Sequence, residues 1–241
     1  MQERLDKSEI RLSISTVFRE VQRMGYSRKR ISLIPEERAS ERVKDLTREY
    51  VEKISKISDE RLIFLDETGF NLHSTPTYGY SRINQPATLT VPANRGGNIS
   101  LMCAIGVNGF LSYKLKKGAW DSESFCSFVK ETLAPALIGT VSSTVLVMDN
   151  CPFHKSLAVA DELSRNNISV VFLPPYSPQL NPIEEFFSMI KRNFYSCGTR
   201  PKNQTEILSK VDETLQGLYP DFTGFYRHMR KALDLCKRPK P

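Results

Sequence analysis

Three acids stand where short apolar segments end or a helix begins. Asp66 closes the run RLIFLD at 61–66, Asp149 follows the buried-type segment 145–148, and Glu184 falls in the first turn of a helix starting near Pro182. Brought together, three carboxylates repel one another unless a divalent cation neutralises them. An all-oxygen ligand set favours Mg2+ or Mn2+ over zinc. Two such ions about 4 Å apart suit in-line phosphoryl displacement, one activating water or a 3′-hydroxyl and the other stabilising the leaving oxygen. Asp66, Asp149 and Glu184 are therefore read as catalytic and metal-binding residues, with two ions expected. Each also has a plainer role when taken singly: Asp66 and Asp149 as turn caps, Glu184 as a complement to the positive end of its helix.

The elements that must position these acids follow from periodicity. An apolar stripe through Val43, Leu46, Tyr50, Val51, Ile54 and Ile57 predicts a helix over 36–57. A strand over 61–66 comes next. Residues 98–106 and 110–115 form a hairpin about Asn108-Gly109. An amphipathic helix over 121–133, a strand at 145–148, a helix over 155–166 and a strand at 169–173 follow. After the turn Pro174-Pro175-Tyr176-Ser177-Pro178, a helix runs to about 195, and two more cover 204–218 and 222–236. This order predicts an α/β fold with a mixed sheet flanked by helices, in which functional groups gather at the carboxyl ends of strands. Residues 71–97, rich in Thr, Pro, Asn and Gly, read as a long loop of functional rather than filler type.

Charge is distributed unevenly over the 241 residues. The net charge is +7, with 34 Lys and Arg against 27 Asp and Glu; residues 1–58 carry +4, 59–196 carry −1 and 197–241 carry +4. Basic ends around a carboxylate-bearing centre suit a polyanionic partner, although solvated basic tails without a partner would look the same. The helix 13–24, capped by Ser13 or Ser15 and stopped at Gly25, carries Arg19 and Arg23 and is followed by Arg28, Lys29 and Arg30. It reads as the last helix of a helix-turn-helix with those residues on phosphates. Five scattered cysteines without a paired spacing argue for a reducing compartment and against a disulfide framework or structural zinc. Apolar runs fall far short of the roughly 20 residues of a membrane span, and the charged start MQERLDKSEI lacks a secretory h-region.

The blocks FLDETGF at 64–70, VMDNCPFHKS at 147–156 and LPPYSPQLNPIEEFFSMIKR at 173–192 resemble the catalytic blocks of Tc1/mariner and IS630-type transposases of the DDE superfamily. Between Asp149 and Glu184 lie 34 residues, the DD34E spacing of that family. The resemblance implies an RNase H-like fold with a mixed five-stranded sheet, and Asp66, Asp149 and Glu184 as the metal-binding triad. It further implies cut-and-paste movement of DNA into TA sites, Mg2+ or Mn2+ as cofactor, double-stranded DNA as partner and a homodimer. Asn150 and His154 match family positions and are candidates for substrate or supporting contacts. Glu67 and Glu185 match no metal position and are expected to face away from the site. Pro175, Ser177, Pro178, Asn181 and Pro182 match the turn that aims the last helix and read as structural.

Domain boundaries follow: a helix-turn-helix remnant at 1–34, a linker helix at 35–58, a catalytic domain at 59–200 with a clamp-like insertion at 71–97, and a basic helical tail at 201–241. Arg95 in the insertion and Lys191 and Arg192 on the last catalytic helix join Arg19, Arg23, Arg28, Lys29 and Arg30 as candidate DNA contacts. Relatives carry two helix-turn-helix modules before the catalytic domain, whereas only the end of the second is legible here. A domesticated or relic protein that binds DNA without catalysis is therefore the alternative reading. The expected location is the nucleus in a eukaryotic host and the cytoplasm otherwise, without secretion.

Overall fold

The computed structural model describes residues 13–28, 35–73, 79–91, 93–94, 96–138, 144–196, 200–219 and 221–237. The chain divides into two compact units, Met1–Pro35 and Glu36–Pro241. In the first, helix α1 (Ile14–Arg23) is capped by Ser13, whose hydroxyl accepts from Thr16 N–H at 3.1 Å. The helix ends ahead of Gly25, whose φ of 81° lies in the left-handed region that glycine enters without strain. No residue of α1 is buried, and Ile14 and Phe18 are exposed. Lys29 and Arg30 lie outside the described residues.

The second unit is built on one five-stranded sheet in the order β3-β2-β1-β4-β5. Its strands are β1 (Leu62–Phe70), β2 (Ile99–Gly106), β3 (Gly109–Lys117), β4 (Val145–Met148) and β5 (Ser169–Phe172). The first three run antiparallel, while β4 lies parallel to β1 and β5 parallel to β4, so the sheet is mixed as expected. Helices cover both faces, which is why the central strands are apolar at successive positions rather than alternate ones. Leu62, Phe64, Leu101, Cys103, Val145 and Val147 point into one core, and Ile63, Leu65, Met102, Ala104, Leu146 and Met148 into the other.

The second face is covered by α3 (Ser122–Phe128) and α4 (Leu157–Arg165). Asp121 opens α3 with a reciprocal cap: its carboxylate accepts from Ser124 N–H at 2.8 Å while Ser124 Oγ accepts from Asp121 N–H at 3.1 Å. The helix expected to end at 133 instead continues through a π turn, Val129–Leu133, into Ala134–Leu137. On the first face lie α2 (Glu41–Ser55), α5 (Ile183–Ser196), α6 (Gln204–Gln216) and α7 (Phe222–Lys237).

Composition sets 201–241 apart as a basic tail, but its two helices are part of this core. Ile207, Val211, Phe222, Tyr226, Met229 and Leu233 are buried in it. Tyr226 Oη donates to the Leu62 carbonyl at 2.8 Å, and its ring meets Phe64 edge-on. The 3–4 spacing of those apolar residues gives each helix one buried stripe, and its charges occupy the opposite side. Residues expected to form a linker helix are bound in the same way: Tyr50, Val51 and Ile54 of α2 are buried against this face. Within the expected insertion at 71–97, the described positions 79–91, 93–94 and 96–97 are exposed and carry neither helix nor strand.

Candidate active site

Strand parity brings the acids to one side of the sheet. Asp66 continues the 62, 64 series of β1, and Asp149 continues the 145, 147 series of β4, so both follow the face covered by α5. Asp66 does not end its strand, as its position after RLIFL suggests; it is the fifth of nine residues in β1. The strand stays paired with β2 to Phe70, but its pairing with β4 stops at Phe64 and Val147. Asp66 and Asp149 therefore flank the point where two parallel strands separate, which is where a sheet of this type opens a crevice.

Glu184 reaches the same crevice through the turn ahead of α5. Tyr176 adopts a φ of 56°, Ser177 Oγ donates to the Pro175 carbonyl at 3.1 Å, and Pro178–Leu180 form one 3-10 turn. Leu180 and Ile183 are fully buried and anchor the turn in the core. Glu184 lies exposed in the first turn of α5. Asp66, Asp149, Asn150 and Glu184 line one cleft of about 440 Å³, together with Glu67, Tyr176 and Asn181.

The two aspartates have opposite environments. Burial pushes the Asp66 carboxyl up to about 7; the Glu67 N–H, donating to Oδ1 at 2.7 Å, pulls against this, and the charges of Asp149 and Glu184 raise it further. Burial also pushes Asp149 up, but His154 and the Cys151 N–H more than offset it and hold the carboxyl below its usual value. His154 Nδ1 lies 2.7 Å from Asp149 Oδ1, and Cys151 N–H donates to the same oxygen at 3.2 Å. Burial raises the Cys151 thiol, and the charges of Asp149, Glu67 and Asp66 add to it, so the cleft carries a negative field.

The candidate residues divide into those at this site and those elsewhere. Asn150 is exposed on the cleft wall. His154 is 3% exposed and sits behind Asp149, with its ring 4.0 Å from Phe153 and 4.8 Å from Phe125 between centroids. Its Nε2 is buried without a hydrogen-bond partner among the described residues, so the proton belongs on Nδ1, donating to Asp149. Glu67, expected to face away, lines the cleft, because β1 has no β4 neighbour beyond Phe64 to close that edge. Glu185 does turn away and meets His228 at 3.2 Å.

Asn181, read from its motif as structural, touches Asp66 directly: Nδ2 donates to Oδ2 at 2.8 Å. Nothing in local sequence signals a contact across 115 positions. Arg19 and Arg28 are exposed in the first unit, and Arg23 there pairs with Glu20 at 2.8 Å. On α5, Arg192 is exposed and Lys191 half-buried. Arg95 lies outside the described residues.

The donor set suits a hard divalent cation. Its members are oxygen ligands, and the burial and like charges that raise Asp66 disfavour its ionised form, which a bound cation would favour. His154 and Cys151 occupy Asp149 Oδ1 and leave Oδ2 free among the described residues. The same residues contain no ready-assembled group of three His, Cys, Asp or Glu side chains able to hold an ion. The fit therefore lies in ligand chemistry and a shared cleft, with the carboxylates still to be drawn together.

Comparisons with known proteins agree with this architecture. The chain is 23% identical over 165 residues to the Transposable element Tcb2 transposase of Caenorhabditis briggsae, a match covering 65% of this chain and 59% of that protein. It thus spans about three fifths of the length of that curated relative. Its fold matches the Mos1 transposase in the paired-end complex with the left transposon end, with a TM-score of 0.72 and 22% identity over 98% of this chain and 75% of that one. The Mos1 catalytic domain alone matches with a TM-score of 0.59 and 18% identity, covering 86% of this chain and 94% of that one. The fold is RNase H-like, α/β, with a mixed five-stranded sheet flanked by helices. The profile of the DDE superfamily endonucleases matches residues 61–207, a span that holds Asp66, Asp149 and Glu184, and the chain belongs to that family.

Proposed function

We propose that the chain is a cut-and-paste DNA transposase, with Asp66, Asp149 and Glu184 as its catalytic and metal-binding residues. The observation that carries this reading is the meeting of three carboxylates from β1, the end of β4 and the start of α5 in one cleft. The similar Mos1 structures include a paired-end complex with transposon-end DNA, a strand transfer complex, and forms with Mn and with Mg. On this reading the substrates are double-stranded DNA at element ends and at TA targets. The assembly is a homodimer, and the chain works in the nucleus of a eukaryotic host. No helix among the described residues is long and apolar enough to cross a membrane.

Asp66, Asp149 and Glu184 would hold Mg2+ or Mn2+, which when bound supplies Lewis acidity for activating water or a 3′-hydroxyl and for stabilising the leaving oxygen. The chain's own groups prepare that site. The His154 Nδ1–H keeps Asp149 ionised and fixes which of its oxygens is left for the cleft. The Glu67 N–H and Asn181 Nδ2 hold one oxygen each of Asp66, so its carboxylate plane is set before DNA arrives. Asn150 offers an uncharged donor to a phosphate beside Asp149. Arg19, Arg23, Arg28, Lys191 and Arg192 contact DNA phosphates.

The test is Mn2+-dependent nicking and strand transfer by the purified chain, on a plasmid carrying the genomic DNA that flanks its coding sequence. Asp149→Ala should abolish both reactions. Undiminished cutting by that variant refutes the assignment of the site. A wild-type chain that retains DNA binding but never cuts favours the relic reading instead.

A further inference from the structure

Asn181 lies between the 3-10 turn Pro178–Leu180 and α5, and it is 4% exposed. Its side chain donates from Nδ2 to Asp66 Oδ2 at 2.8 Å. Its backbone carbonyl accepts the Glu184 N–H at 3.2 Å. One residue therefore holds a carboxylate on β1 and the first turn of the helix that carries Glu184. The other half of the amide does nothing comparable: Oδ1 is buried and has no hydrogen-bond partner among the described residues. A buried carbonyl left unpaired costs stability, and a leucine of similar size would avoid that cost. The half of the side chain that is used meets a cleft carboxylate.

We propose that Asn181 is a positioning residue that ties Asp66 to the start of α5 and so sets the separation of Asp66 from Glu184. The inference rests on the reading of these carboxylates as the metal site. An amide suits the task better than a cation. Lysine or arginine at this place would cancel the charge of Asp66, which a divalent ion needs, whereas an amide donates one N–H and leaves the charge intact. With Glu67 N–H on Oδ1 and Asn181 on Oδ2, each Asp66 oxygen keeps a second lone pair for a cation.

Asn181→Leu in the full chain tests this, with Asn181→Ala as a second variant in case leucine overfills the turn. Metal-free Asn181→Leu is expected to stay folded and melt near the wild-type temperature, because removing the unpaired Oδ1 offsets the donor that Asp66 loses. The Mn2+ concentration at half-maximal thermal stabilisation should rise at least tenfold, equivalent to about 1.4 kcal/mol of lost linkage. The kcat of plasmid cutting should fall at least tenfold with an unchanged KM for DNA. A wild-type Mn2+ response and kcat in Asn181→Leu overturn the proposal. Failure of both single variants to fold makes the residue a structural one and overturns it too.

One further measurement separates this inference from the function it rests on. In the metal-free protein, the side-chain amide signals of Asn181 in 1H–15N spectra should move on Asp66→Ala. If they move while the wild-type chain neither binds Mn2+ nor cuts DNA, the proposed function fails and the tie stands. Signals that stay in place overturn the tie.

Discussion

Replacing Asp66 by asparagine removes a charge from the cleft while keeping the shape of the side chain. Asp66 is raised from 3.8 to about 7, first by burial and then by the charges of Asp149 and Glu184. In the unfolded chain the carboxyl ionises near its ordinary value, so between these two pH values the folded protein holds more proton than the unfolded one. Stability therefore falls as pH rises through that window, and the loss is complete above about pH 7. The gap between the two values, at about 1.4 kcal/mol per pH unit, amounts to about 4 kcal/mol. Asparagine never pays this ionisation cost. Its own amide can be accommodated if Asn181 turns its side chain over and presents the otherwise unpaired Oδ1, so little hydrogen bonding is lost.

Metal-free Asp66→Asn should thus melt above wild type at pH 8 and close to it at pH 4.5. At roughly 2–4 °C per kcal/mol for a chain of this size, the full effect is roughly 8–16 °C, an upper figure because the carboxylate keeps some contact with water. Thermal melts in the presence of a chelator, from pH 4.5 to 8, read the difference directly. Adding Mn2+ at pH 8 should raise the wild type and leave the variant almost unmoved. An Asp66→Asn protein no more stable than wild type at pH 8, or a margin that ignores pH, would refute the electrostatic account of the cleft.

Three further outcomes concern the frame that carries the site. Arg230 donates from Nε to Asp59 Oδ1 at 2.7 Å, forms an ion pair with the same oxygen through Nη2 at 2.7 Å, and donates from Nη1 and Nη2 to the Ile54 and Ile57 carbonyls at 3.0 and 2.6 Å. It thereby adds a donor at the C-terminal end of α2, and Arg230→Met should cost about 2–3 kcal/mol in urea unfolding, because the Ile57 carbonyl and a half-buried carboxylate lose their donor. Leu233 is 1% exposed in the core beneath α7, so Leu233→Ala should cost about 2–5 kcal/mol. A chain ending at residue 220 should not yield soluble folded protein, whereas a dispensable tail would leave the melting temperature unchanged.

Several features of the fold were legible in local sequence. The unbroken apolar runs LIFL and SLMCAI signal strands buried on both faces, and Asn108-Gly109 signals the hairpin between β2 and β3. Ser13 and Asp121 announce helix starts because their side-chain oxygens accept the free N–H groups of a first turn. Helix ends were less legible: the helix carries on past 133 through the π turn Val129–Leu133 into Ala134–Leu137, although Pro135, which lacks an N–H, lies in that last segment. The depth of Asp66 within β1 was hidden as well. The strand continues because β2 supplies partners to Phe70, and pairing is a property of the neighbour.

By itself the sequence determined which acids could do chemistry, the spacing that marks their family, and the order of strands and helices, because each of these depends on residues near one another in the chain. Tertiary structure alone decided that Asp66 and Asp149 share the sheet face covered by α5, since two parities must be aligned by strand pairing. It also decided that α6 and α7 complete the core rather than trail from it. The Asn181 hydrogen bond to Asp66 and the burial of His154 behind Asp149 belong to the same class. Burial, and the approach of like charges, exist only once distant segments have met, and these are the forces that set the two aspartates apart.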